Sequence, residues 1–324
     1  MKILFYAVLL SLAFLSCNST TFTKCSYEET GNLCIIIPVT INGKTFKFLF
    51  DTGTDETLIN STAASQLNIK PVNKKLCEIN SPSASIIDTV HYLNSELYIQ
   101  GMSFSTSALC IDRLNVSFSE RTDYKGYDGI LGNRDIKKKN WLFDIENKCF
   151  MLSDITESLL PFAKEYDQVL ELKMNDNYTN IRLEDSVNQT FLFDTGWGHN
   201  IIFNYDDTGY TFYADFAFRD SFIADLRNRV NFEDKYILMK SFGLNDTIMK
   251  YLSATKNVSN VIKSNIIAAP FLRRFKYMLY DSKNQKICLF RSAKGYGYKG
   301  DKEKELLDKI MERYLSKEDS CKVN

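Results

Sequence analysis

Histidine is nearly absent from this chain: among 324 residues only His91 and His199 occur, and the eight cysteines include no Cys-x-x-Cys pair. Zinc centres need clustered Cys and His, and a Cys nucleophile needs a histidine base, so both chemistries are poorly served. No metal or cofactor is expected. The chain also lacks a charge excess, since forty basic residues balance forty acidic ones. That balance offers no general attraction to nucleic acid. Beyond the N-terminus there is no apolar run long enough to cross a bilayer as a helix.

The N-terminus reads Met1-Lys2, then a largely apolar run from Ile3 to Leu15, then Ser16-Cys17 and the polar Asn18-Ser19-Thr20. Such a run fits a signal-peptide core and is short for a transmembrane span, so export is expected. Cys17 after Phe14-Leu15-Ser16 resembles the lipobox of bacterial lipoproteins, although Phe14 stands where Leu is usual. Lipidation at Cys17 would anchor the protein to a bacterial membrane; the alternative is plain secretion after cleavage a few residues later. Eight cysteines fit an oxidising compartment. If Cys17 carries lipid, the seven others (Cys25, Cys34, Cys77, Cys110, Cys149, Cys288 and Cys321) leave at least one free thiol.

What the chain does contain is a hexapeptide written twice. Phe48-Leu49-Phe50-Asp51-Thr52-Gly53 returns as Phe191-Leu192-Phe193-Asp194-Thr195-Gly196, 143 positions later. Each copy closes an apolar run, and each continues into apolar residues. A carboxylate where a buried strand breaks into a glycine turn is costly unless it is satisfied or used. Asp207-Thr208-Gly209 repeats the tripeptide but follows Asn204-Tyr205-Asp206, and reads as a polar turn.

The surrounding pattern is that of short strands. Ile35 to Ile41 and Thr45 to Phe50 flank Asn42-Gly43, which predicts a hairpin through a type I′ turn. Ser61 to Leu67 fits a helical turn, ended by Pro71. Leu76 to Leu93 reads as two strands around a polar tip, Asn80-Ser81-Pro82-Ser83-Ala84-Ser85: either a surface turn or a flap over a cleft. Strands follow at Leu97 to Ile99 and Phe104 to Ile111, then Ile130-Leu131-Gly132 and a hairpin from Trp141 to Leu152. After Ser153 to Asp167 the pattern restarts, and Ile266 to Phe290 echoes Ile130 to Leu152. Asn204 to Lys263 shows no clear counterpart in the first half. The boundaries expected are a signal peptide over 1–17, an extension over 18–33, lobes over 34–152 and 169–292, a linker over 153–168, and a hinge with a C-terminal helix over 293–324.

Two carboxyl groups held together in a buried place cannot both be charged, so one proton is shared and the pair offers a base and an acid at once. The two hydrophobic-Asp-Thr-Gly turns and the Ile130-Leu131-Gly132 motif make the chain similar to aspartic peptidases of the pepsin/retropepsin type, over roughly Cys34 to Arg291. The resemblance implies a mainly β, two-lobed barrel fold, with Asp51 and Asp194 as the catalytic pair acting on a polypeptide substrate. It further implies support from Thr52, Gly53, Thr54, Thr195 and Gly196, and a flap at Asn80 to Ser85. A monomer is expected, with membrane contact only through the lipid.

Two positions depart from the family. Trp197 replaces the hydroxyl residue that Thr54 supplies in the first copy, and Ala268 stands where the second half should carry the motif's Gly. The loss of a donor should raise the affinity of Asp194 for a proton. The same departures raise a rival from another class, an inactive peptidase-like protein that binds a peptide or glycan in its cleft. An aspartyl phosphatase reading of Asp51 fails because Gly53 stands where a second Asp is needed. His91 reads as structural, as does His199, which lies five residues after Asp194.

Overall fold

The computed structural model describes residues 23–30, 33–68, 73–80, 85–112, 126–182, 188–198, 200–204, 212–225, 228–245, 247–257 and 264–292. The apolar N-terminal run, Cys17, Ser81 to Ala84 of the expected tip, His199, Asp207 to Gly209 and the expected C-terminal hinge and helix lie outside that set. In chain order the strands are β1 Cys25–Ser26, β2 Glu28–Glu29, β3 Ile35–Ile41, β4 Lys44–Asp51, β5 Leu58–Asn60, β6 Asn73–Asn80 and β7 Ser85–Ile99. They continue as β8 Met102–Asp112, β9 Gly129–Gly132, β10 Asn140–Asp144, β11 Cys149–Ser153, β12 Tyr166–Asn175, β13 Tyr178–Arg182 and β14 Asn188–Asp194. The rest are β15 Ile201–Phe203, β16 Phe212–Asp225, β17 Asn228–Leu244, β18 Thr247–Asn257, β19 Asn265–Ala268, β20 Tyr277–Asp281 and β21 Lys286–Ser292. Helices are short: Ser61–Ser65, Asn133–Ile136 and Leu160–Ala163. This is the all-β, pepsin-like aspartic protease fold that the sequence predicts.

Local chemistry sets the strand leading to the first Asp. Asn42 and Gly43 both take positive φ, 50° and 74°, and β3 pairs with β4 from Ile36↔Leu49 to Ile41↔Lys44. The turn therefore fixes the register, and the register sends Phe46, Phe48 and Phe50 into the core. Phe50 meets the rings of Trp141 and Phe143 at centroid distances of 5.0 and 4.9 Å, an edge-to-face arrangement that holds the residue before Asp51 in place.

Eight strands form one sheet in the order β2-β3-β4-β9-β5-β8-β7-β6, curled so that β3 also meets β7. Thirteen form another, β1-β11-β10-β20-β21-β12-β13-β14-β19-β15-β18-β17-β16. The two halves of the chain meet within this larger sheet, where β10 pairs with β20 from Trp141↔Tyr280 to Asp144↔Tyr277. The hairpins on either side of that seam are built alike. Asp144 accepts from the backbone N–H and side-chain amide of Asn147, and Asp281 does the same with Asn284.

The structure corrects the reading of Asn204 to Lys263. Its described residues form β16, β17 and β18, and the run β16-β17-β18-β15-β19-β14-β13 repeats β6-β7-β8-β5-β9-β4-β3 strand for strand. The counterpart was hidden because spatial equivalence here resides in backbone pairing, which many side-chain sequences satisfy. Leu97 to Ile99 is likewise no separate strand but the end of the long β7.

An ion pair is buried beside the seam. Lys276 Nζ lies 2.7 Å from Asp144 Oδ1, with side-chain exposures of 6% and 1%, and 3.2 Å from the half-exposed Glu146. Burial would lower the lysine's pKa, yet Asp144 and Glu146 raise it. Burial would likewise raise that of Asp144, but Lys276 and Asn147 hold it low. Removing one partner leaves the other buried and uncompensated. Lys276→Met is expected to lower the free energy of unfolding by about 3–5 kcal/mol, measured by urea denaturation near neutral pH; a loss below about 1 kcal/mol would show that water reaches Asp144.

Candidate active site

Both Asp-Thr-Gly turns start at the last residue of a strand laid parallel to a second strand. β4 runs beside β9 with Asp51 opposite Gly132, and β14 runs beside β19 with Asp194 opposite Ala268. The sequence-predicted pair is brought together: the carboxyl groups of Asp51 and Asp194 hydrogen-bond each other, and each residue is only 7% exposed.

Beneath the carboxyls the two buried threonines interlock. The Thr52 N–H donates to Thr195 Oγ1 and the Thr195 N–H to Thr52 Oγ1, both at 3.1 Å. Each hydroxyl then donates to the strand of the other half, Thr52 Oγ1 to the Phe193 carbonyl at 2.6 Å and Thr195 Oγ1 to the Phe50 carbonyl at 2.7 Å. Valine would match the shape but leave these four buried partners unsatisfied, which is why the position is Thr.

The glycines are required for a different reason. A Cβ on Gly53 would lie 2.3 Å from Cγ of Asp194, and one on Gly196 would lie 2.4 Å from Cγ of Asp51. Each glycine thus makes room for the carboxyl of the opposite turn. Side chains at either position would push the pair apart.

The two carboxyls are not equivalent. Asp51 accepts from the N–H groups of Gly53 and Thr54 at 2.8 and 3.0 Å, and from the Thr54 hydroxyl at 2.8 Å. Burial raises its pKa, while the Thr54 hydroxyl, Asp194 and these N–H groups pull it back. Asp194 accepts from the Gly196 N–H at 2.9 Å but has no hydroxyl donor among the described residues, since Trp197 stands where Thr54 stands in the first turn. Burial and the charge of Asp51 hold its pKa well above the ordinary carboxylate range, against the backbone N–H groups of Gly196 and Trp197. Both carboxyls are thus pushed toward the neutral form, and Asp194, with fewer donors to its charged form, is pushed further.

The two departures read in the sequence prove to be one packing unit. Trp197 lies against the apolar cluster of Leu192, Ile202, Ile266 and Ala268. In the first half the equivalent wall is glycine because a Cβ on Gly132 would come within 2.4 Å of the Glu56 carbonyl. The Gly132 N–H there bonds to Thr57 Oγ1, whose hydroxyl donates to Asp135, while the Ala268 N–H uses the Asn200 carbonyl instead.

Several neighbours escaped the sequence reading. Cys34 is buried with Sγ 3.5 Å from the Gly196 carbonyl oxygen, and burial pushes its thiol up to about 12. It behaves as a small apolar residue with one weak donor, not as a nucleophile. Asn177, in the turn between β12 and β13, reaches Asn133 and Asp55 in the first half and is joined through Asn133 to the Tyr280 hydroxyl. No local motif marks these residues, since each contact spans tens of positions. Of the expected flap, Asn80 and Ser85 are a paired row at the end of the β6–β7 hairpin. His91, also in β7, is half-buried.

Carboxyls with raised pKa bind protons more tightly folded than unfolded, so they favour folding below the unfolded carboxylate range, about 4. That contribution is lost as pH rises through the folded values of the pair. Wild type is expected to unfold at progressively lower urea as the pH rises above about 4, while Asp194→Asn, which mimics the neutral acid, shows a flatter profile. Parallel profiles for the two chains would contradict the assignment.

No curated protein matches the chain. Residues 37–133, which include Asp51, the turn that follows it and Ile130-Leu131-Gly132, match the family model described as Aspartyl protease, and the match supports an aspartic peptidase.

Proposed function

We propose that the protein is an exported aspartic endopeptidase that hydrolyses peptide bonds with water activated between Asp51 and Asp194. The observation that carries this reading is the hydrogen-bonded, unequal pair of carboxyls at the meeting point of the two turns. Asp51, the better anion, takes a proton from a water lying between the carboxyls, and that water attacks the peptide carbonyl carbon. Asp194 gives its proton to the carbonyl oxygen, so a neutral gem-diol forms without a free oxyanion. In the second step Asp51 returns its proton to the leaving nitrogen, one diol hydroxyl returns a proton to Asp194, and the C–N bond breaks. The pair ends in its starting state. Export, with Cys17 as the point of lipid attachment, rests on the N-terminal sequence alone, and a single chain supplies both carboxyls.

A second reading, a protein that binds peptide or glycan without cutting it, draws support from Trp197 and Ala268 beside Asp194. Cleavage distinguishes the two. Purified protein is expected to digest an unfolded polypeptide, to be blocked by pepstatin, and to lose about 100- to 10,000-fold in kcat/KM on Asp51→Asn. Equal cleavage by wild type and Asp51→Asn would rule out the endopeptidase reading. Trp197→Ser, which returns a hydroxyl donor to Asp194, is expected to move the pH profile of kcat/KM to lower pH, while Trp197→Phe leaves the profile in place. A Ser variant whose profile stays put would show that the missing donor does not set the proton's position.

A further inference from the structure

A lateral bridge joins the two halves beside the site, apart from the threonine lock. The Phe193 N–H, one residue before Asp194, donates to the Asn177 carbonyl at 2.9 Å. The Asn177 side chain crosses to the first half, where its NH2 group donates to Asp55 at 3.3 Å and its side-chain oxygen accepts from the Asn133 amide. Asn133 in turn holds the first turn from outside: its backbone N–H donates to the Thr54 carbonyl at 2.7 Å, and that of Arg134 to the Asp55 carbonyl at 3.1 Å. Thr54 then donates its hydroxyl to Asp51 at 2.8 Å. Hydrogen bonds through Asn177 and Asn133 therefore lead from the strand that ends at Asp194 to the hydroxyl that serves Asp51.

The matching place on the other side is apolar. Gly132 stands opposite Asp51 and Ala268 opposite Asp194, so Ala269 is the counterpart of Asn133. Extending the β3–β4 and β13–β14 registers by one residue puts Ile35 against Phe50 and Asn177 against Phe193. Phe143 and Tyr280 each precede the aspartate of their hairpin, and Tyr280 carries the hydroxyl, which donates to Asn133 at 3.0 Å. The polar set Asn133, Asn177 and Tyr280 thus has the apolar counterparts Ala269, Ile35 and Phe143, with Ala269 packed among Cys34, Leu49 and Ile130. The fold closes around an apolar version of this contact, so it does not require the polar one. Asn133 and Asn177 are only 2% and 6% exposed, and burying an amide costs free energy that its hydrogen bonds must offset. That cost is borne on the side of Asp51, the carboxyl with the added donor.

We propose that Asn133 and Asn177 are positioning residues for peptide hydrolysis, which hold the Thr54 hydroxyl on Asp51 and tie that contact to the strand carrying Asp194. The inference rests on the peptidase reading and adds two residues that act through Thr54. A hydroxyl that donates to the charged form of Asp51 favours that form, so a bridge that keeps it in place keeps Asp51 ionised to lower pH. Asp194, from the second turn, and the buried Cys34 thiol, from the residue before β3, are the titratable groups that face Asp51. Around the bridge itself, Asp55 accepts from Asn177, Arg134 pairs with Glu56, and Lys137 pairs with Asp176. Changing the asparagines removes none of these charges.

The apolar set that the chain already uses supplies the variant: Asn133→Ala, Asn177→Ile and Tyr280→Phe together. The acid limb of kcat/KM against pH, which reports ionisation of Asp51, should move up by about half a unit to one unit, with KM nearly unchanged because no substrate contact is removed. Asn177→Ala alone should move the limb the same way by a smaller amount should the triple variant fail to fold. In a Thr54→Ala chain, whose limb is already displaced, the triple change should add little. Independently of turnover, the Asp51 carboxyl followed by NMR in the Asp194→Asn chain should titrate at higher pH once the triple change is made. Cleavage by wild type with the limb and the Asp51 titration unmoved in the variants overturns the bridge and leaves the peptidase reading standing, as does an equal displacement with and without the Thr54 hydroxyl. No cleavage by wild type, with the Asp51 titration displaced, overturns the peptidase reading and leaves the hold on Thr54. Neither cleavage nor displacement overturns the two together.

Discussion

Two carboxylates cannot both hold a charge in one buried site, and the central arrangement of this protein follows from sharing a single proton between them. Asp51 and Asp194 stand within hydrogen-bonding distance because the turns behind them are locked from below by Thr52 and Thr195. That lock works only if strands β4 and β14 end at matching heights, since each hydroxyl reaches a main-chain carbonyl of the other half. Glycine at Gly53 and Gly196 completes the arrangement by letting each turn approach the opposite carboxyl. Removing any one of these elements turns a shared proton into electrostatic repulsion or an unsatisfied buried group.

Exact symmetry would leave the proton undecided. The chain breaks it with Trp197, which withholds a hydroxyl from Asp194 and fills space beside Ala268. Thr54 meanwhile gives Asp51 three donors in all when its hydroxyl and N–H are taken with the Gly53 N–H. The result is more fixed donors on one carboxyl than on the other, the inequality that the proposed water activation would use. Packing and protonation are thus set by the same substitution.

The core beneath the site was partly legible from the start. Asn42-Gly43 announces its hairpin because only residues tolerant of positive φ fit that turn, and Phe50 and Phe193 announce strands that end at a carboxylate. The echo between Trp141–Leu152 and the chain around Met278–Phe290 is also visible in sequence, and the structure explains it as two hairpins meeting at one seam. Asn177, Cys34 and the equivalence of β16–β18 with β6–β8 were not legible. The first two act across 122 and 162 positions; the third is a matter of backbone register, which tolerates unrelated side chains.

By itself, then, the sequence determined that there are two copies of a buried carboxylate turn and which residue differs between them, because turn chemistry and burial are local demands on residue type. Only the tertiary structure decided that the two turns meet and that Trp197 and Ala268 form one cluster. Those outcomes depend on strand pairing between distant segments, and a pairing is specified jointly by two stretches of chain, neither of which carries it alone.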